Sequence, residues 1–163
     1  MKIEYFFFSF LLIGFCSCLS AGTHGSIKSY QYFIPKYSLE KAINKIIFTN
    51  KNIQRDTTKA YNDSTKYDYY NDGSDYMTIS ITSDKLVNTY IFKYGGDKKY
   101  WDSSKVSNIF ICYAFDSNGH GGSEGDGGIS WYKFGLKKKL INLFENDFVN
   151  KIDIELKQKH TVN

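Results

Sequence analysis

The chain has 163 residues, enough for one domain with a real core and too few for two ordinary ones. Hydrophobic residues at 42% and charged residues at 23% argue against disorder throughout, while 14 tyrosines and 13 phenylalanines make the chain unusually aromatic. The formal charge of +4 rests on lysine, because Arg55 is the only arginine. Phosphate and base-edge recognition favour the arginine fork, so nucleic acid is not an expected partner.

Near the N-terminus Lys2 precedes an apolar run from Tyr5 to Phe15, broken by Ser9 and Gly14 and followed by Cys16, Ser17 and Cys18. Crossing a bilayer as a helix takes about 20 apolar residues, so the run matches the hydrophobic region of a signal peptide instead. The stretch Ile13-Gly14-Phe15-Cys16-Ser17-Cys18 resembles the lipobox of bacterial lipoproteins, with Phe15 where a leucine is usual. In that motif a small residue precedes the cysteine that takes the lipid and becomes the mature N-terminus. Ser17 points to Cys18, whereas Cys16 follows bulky Phe15.

The resemblance implies a signal peptide over 1–17, a lipidated tether over 18–29 and a single domain over 30–163. It places the domain in the cell envelope as a membrane-anchored lipoprotein, periplasmic or surface-exposed. A secreted soluble form cut after Ala21 is the alternative. With Cys18 lipidated, Cys112 has no partner for an internal disulfide, and its apolar run Ile109–Phe115 marks it as core rather than nucleophile.

Gly22, Gly25 and Ser26 suit a tether. Tyr30, Tyr32 and Ile34 alternate with Gln31 and Phe33 before Pro35, the only proline, as in a first or edge strand. Leu39, Ala42, Ile43, Ile46 and Ile47 recur at helical spacing, with Ser38 as the expected cap and an end near Thr49-Asn50. Residues 51–75 are polar but carry Tyr61, Tyr67, Tyr69 and Tyr70, and read either as a functional loop or as short strands.

Strands are expected over Tyr76 to Thr82, Val87 to Tyr94, Val106 to Phe115 and Ile129 to Phe134. Short polar connections between them favour antiparallel pairing. Leu140, Phe144, Phe148, Ile152 and Leu156, joined by Ile141 and Leu143, predict a long amphipathic helix or two shorter ones over 136–156. The expected fold class is therefore α+β: a two-layer domain with an antiparallel sheet of about four to five strands packed by an N-terminal and a long C-terminal helix.

The segment from Asp116 to Gly128 holds oxygen side chains among glycines, and Asp116, Asn118 and Glu124 suggest a calcium loop. His120 stands where an oxygen ligand belongs and Gly127 where the bidentate glutamate should be. A hairpin connection is the leading reading, with a partner-contacting loop through His120, Glu124 and Asp126 beside it. His24, His120 and His160 are too scattered for a zinc site, so no metal or other cofactor is expected. A thiol and base pair of Cys112 and His120 is disfavoured, because apolar neighbours raise a thiol's pKa.

Tyr61, Tyr67, Tyr69, Tyr70 and Trp101 form the candidate recognition surface, against the alternative that these rings pack over the sheet edge. Lys137, Lys138 and Lys139 would open the final helix, where cations oppose the dipole, and read as a solvated face or a contact for acidic partners or lipid headgroups. The architecture looks like envelope proteins that work by binding, including immunity proteins that neutralise toxins. The expected function is non-catalytic binding of another protein by an envelope-anchored immunity- or inhibitor-type protein. A cell-envelope glycan or peptidoglycan binding module and a small periplasmic enzyme are the alternatives.

Overall fold

The computed structural model describes residues 26–56, 76–123 and 134–162. Its sheet is built where apolar side chains recur at every second position. These strands are β1 (Lys28–Tyr32), β3 (Tyr76–Ser83), β4 (Leu86–Tyr94) and β5 (Ser107–Phe115), joined by the short strands β2 (Ile53–Arg55), β6 (Gly121–Gly122) and β7 (Thr161–Val162). The order is β2-β3-β4-β5-β1-β7, with β6 also on β5, and every pair is antiparallel. An expectation of about four to five strands is thus corrected to seven among the described residues. The added strands have two or three residues each, too few for an alternating pattern to show.

Helix α1 (Lys36–Thr49) buries Leu39, Ala42, Ile43 and Ile46, as its spacing predicts. Its cap differs from expectation. Pro35 stands at the N-cap with φ −60° and ψ 148°, and its carbonyl accepts from the amides of Ser38 (3.0 Å) and Leu39 (3.3 Å). Proline's locked φ ends β1 and starts the helix three residues earlier than a Ser38 cap would. Pro35 also cuts the strand short, so β1 stops at Tyr32 and Ile34 accepts from the Ser107 hydroxyl instead (2.9 Å).

Between β4 and β5 the chain forms α2 (Lys98–Ser103), which no apolar periodicity announced. Asp97 caps it by accepting from the Tyr100 amide at 2.8 Å. The C-terminal helix runs as α3 (Phe134–Phe144), a wide turn over Glu145–Val149 and α4 (Asn150–Leu156). Phe134 therefore opens a helix rather than closing a strand, and the rest of the expected strand, 129–133, lies outside the described residues. Lys137, Lys138 and Lys139 fall a turn inside the helix.

The wide turn has a physical cause. Side chains four apart drift by about 40° per step around an α-helix of 3.6 residues per turn, so a long row at that spacing would wind off the sheet. The π-type bond from the Asn150 amide to the Glu145 carbonyl widens one turn and cancels the drift. Leu140, Phe144, Phe148 and Ile152 consequently all stay buried.

One core fills the space between the helices and one face of the sheet. Tyr30, Tyr32, Tyr90, Phe92 and Tyr94 meet Ile43, Phe144 and Phe148 there. Phe144 stands at its centre, with ring centroids 4.9 Å from Tyr90, 5.1 Å from Phe148, 6.0 Å from Tyr30 and 6.2 Å from Phe92.

Candidate functional site

The described residues with chemistry to offer fall on the two faces of the sheet. On the helix side, each buried tyrosine hydroxyl needs an acceptor, because an unpaired hydroxyl in a dry core costs about 1–3 kcal/mol. The Tyr30 hydroxyl donates to Glu145 Oε1 (3.2 Å), that of Tyr32 to Asp153 Oδ1 (3.0 Å) and that of Tyr90 to the Leu140 carbonyl (3.0 Å). Burial drives all three hydroxyls well above the ordinary tyrosine range. The charge of Glu145 adds to this at Tyr30, that of Asp153 at Tyr32 and that of Asp147 at Tyr90.

The two carboxylates also tie in the ends of the domain. Glu145 Oε1 pairs with Lys28 Nζ at the start of β1. Asp153 accepts the His160 amide at Oδ1 (3.2 Å) and lies 2.9 Å from His160 Nδ1 through Oδ2, while the His160 ring stands edge-on to Tyr30 with centroids 5.2 Å apart. Thus both oxygens of Asp153 are engaged, by Tyr32 and His160, and the group fastens β7 beside β1. Sequence reading passed over His160 as a lone histidine near a terminus. Nothing in its neighbours signals Asp153, since the two meet only through an αL turn at Lys157, φ +52°.

The outer face is set by the partner residues of each strand. Tyr76 sits opposite Lys93 and Lys93 opposite Phe110; Thr78 opposite Ile91 and Ile91 opposite Tyr113; Ser80 opposite Thr89 and Thr89 opposite Phe115. A register shift at Ile91/Phe92 leaves Cys112 as the extra residue on β5, a bulge that turns both Tyr113 and Phe115 outward. Their rings stack with 7° between planes and centroids 6.3 Å apart. Lys93 Nζ lies 5.4 Å over the Tyr76 ring. Tyr76, Phe110, Tyr113 and Phe115 are half-buried, while Ile91 is buried. Cys112 itself is 8% exposed, its thiol donating to the Phe110 carbonyl at 3.5 Å, so it is buried as expected but outside the main cluster.

Trp101 packs against the core from α2. Its indole N–H donates to the Gly95 carbonyl at 2.7 Å, and Lys36 Nζ sits 4.4 Å over its ring and 4.7 Å over that of Tyr94. Both its polar edge and one ring face are thus engaged within the domain.

Asp116 and Asn118 lie in a tight turn between β5 and β6. Asp116 Oδ1 accepts the amides of Asn118 (2.9 Å) and His120 (2.8 Å), and Oδ2 lies 3.5 Å from His120 Nδ1. Desolvation pushes the Asp116 carboxyl up. The two amides and the His120 ring outweigh it and hold the group below the usual carboxylate range. The strand after this turn is Gly121–Gly122, where a Cβ on Gly121 would meet the Ala114 carbonyl oxygen at 2.0 Å. Backbone packs on backbone there, which only glycine permits.

Cys18, Tyr61, Tyr67, Tyr69, Tyr70, Glu124 and Asp126 lie outside the described residues. Of the calcium candidates the structure therefore places Asp116 and Asn118 together but not Glu124, and Trp101 stands at the opposite end of β4 from His120. Among the described residues, no group of three or more His, Cys, Asp or Glu side chains is placed to hold a metal ion. No described helix is long and apolar enough to cross a membrane. No family model, curated protein or solved structure matches the chain.

Proposed function

We propose that the chain is an envelope-anchored, non-catalytic protein that binds another protein, in its most specific form an immunity- or inhibitor-type protein. The observation that carries this reading is the aromatic outer face of the sheet, with Tyr113 and Phe115 stacked beside Phe110 and Tyr76. Rigid aromatic side chains on a strand scaffold supply contact area at low entropic cost, and such residues dominate the energetics of protein interfaces. The carboxylates of the opposite face support the non-catalytic half of the reading, since Glu145 and Asp153 are already engaged by tyrosines, lysine and histidine. Residues Lys2 to Cys18 support the anchor.

The test is co-purification of the exported chain with the product of its neighbouring gene. A tight complex is expected, weakened at least tenfold by Tyr113→Ser with Phe115→Ser, about 1.4 kcal/mol or more. Absence of any complex, or one indifferent to both changes, overturns the reading.

A further inference from the structure

The topology brings one end of the sheet to the place where the chain enters the domain. Lys28 pairs with Ile111, midway along β5, and the Ile27 amide donates to the Ile111 carbonyl, so Ser26 and Ile27, which lead into β1, lie toward the end where β5 finishes. Phe115 pairs with Thr89, and Ser83 with Leu86, which puts the β3–β4 turn at the same end. The Thr82 amide donates to the Asn52 carbonyl, which brings the close of α1 there too. Residues 1–25, with the apolar run and Cys18, join the domain at this end.

Large apolar side chains stand in water there: Phe48 is 91% exposed, Leu86 46% and Val87 47%. The turn that presents Leu86 and Val87 is stiff, with Asp84 and Lys85 both in the left-handed region at φ +52° and +66°. Lys51 and Lys85 are exposed beside these residues and have no ion-pair partner among the described residues, while Asp84 is the opposing charge on the same turn. The far end also exposes apolar side chains, Phe33 and Tyr37 among them. What separates the two ends is the junction of the tether, which keeps a bilayer at high local concentration near Phe48 and Leu86.

We propose that this end faces the membrane: Phe48, Leu86 and Val87 enter the interfacial zone of an anionic phospholipid bilayer, and Lys51 and Lys85 rest against its headgroups. The proposal rests on the anchored reading of the residues that precede Ser26. Apolar insertion and lysine attraction act together at such a surface, and the lysine part weakens with salt.

The experiment places a cysteine for labelling at Leu86 or at Ser103, the latter on α2 at the far end, in the full processed chain with Cys112→Ala removing the native thiol. Each is labelled with an environment-sensitive fluorophore and bound to vesicles of phosphatidylethanolamine and phosphatidylglycerol carrying nitroxide lipid. Quenching is expected to be several-fold stronger at Leu86 than at Ser103. Lys51→Gln and Lys85→Gln should each weaken the docking equilibrium by about fivefold. Equal quenching at both positions, or stronger quenching at Ser103, overturns the proposal. So does a protein partner lost on Phe48→Ser with Leu86→Ser while the Leu86 label stays unquenched. The mass of the mature N-terminus separates the two claims. A lipid-free chain still quenched at Leu86 sinks only the anchor, and a lipidated chain without the preference sinks only the membrane-facing end.

Discussion

On the helix-covered face of the sheet Tyr30, Tyr32, Tyr90 and Tyr94 are fully buried, whereas on the outer face Tyr76, Phe110, Tyr113 and Phe115 keep part of their surface in water. The same residue types serve both faces. Inside, each ring has aromatic or aliphatic neighbours and three of the hydroxyls have named acceptors, so truncation leaves a cavity and a stranded carboxylate or carbonyl. Outside, Thr78, Ser80, Thr89 and Lys93 alternate with the rings, and a lost ring is replaced by water. The first face should therefore govern stability and the second recognition.

The largest expected effect is that of Phe144→Ala, which empties the centre of the core and should lower unfolding free energy in urea by about 3–5 kcal/mol. Phe115→Ser on the outer face should change it by less than about 1 kcal/mol. Equal losses would erase the distinction between the faces.

Next comes Asp153→Ala, which strands the Tyr32 hydroxyl and frees His160, at about 1–3 kcal/mol. In a double-mutant cycle Tyr32→Phe should cost less once Asp153 is gone, and strict additivity would refute the coupling.

A third effect is alkaline. The tyrosine hydroxyls of Tyr30, Tyr32 and Tyr90 are raised in the folded state from an ordinary value of 10.0. Their contribution is thus fully present below pH 10.0 and lost above it, at about 1.4 kcal/mol per pH unit for each tyrosine until its folded-state value is reached. Urea titrations between pH 9 and about 11 would check it, with a shallower slope expected for Tyr32→Phe.

The smallest effect belongs to the surface turn at Asp116. Its lowered carboxyl stabilises the fold above the ordinary value of 3.8 and loses that contribution as pH falls. Asp116→Ala should flatten the acid limb slightly while leaving neutral stability within about 1 kcal/mol.

Strong periodicity was readable: Leu39 to Ile46 announced α1, Met77, Ile79 and Ile81 announced β3, and the row Leu140 to Ile152 announced the final helix. The short strands were not, because β2, β6 and β7 exist through pairing with a neighbour rather than through their own pattern. Helix α2 rests on one cap, Asp97, and buries no residue fully, so it left no apolar trace. Of the candidate sites, Trp101 left recognition and packing over the sheet edge both open in the sequence, because its distant neighbour Lys36 is invisible in the local sequence. The pairing of Asp153 with Tyr32 and His160 was hidden for the same reason, a matter of chain separation rather than of residue type.

The place of β1 in the sheet has a kinetic consequence. It is the first described strand to be made, yet its neighbours are β5 and β7, so it stays unpaired until the chain has been extended through Ile111 and is edged only after Thr161. Distant pairings of this kind carry a high loop-closure cost and slow the search for the folded state. The domain should remain unfolded through most of its own synthesis.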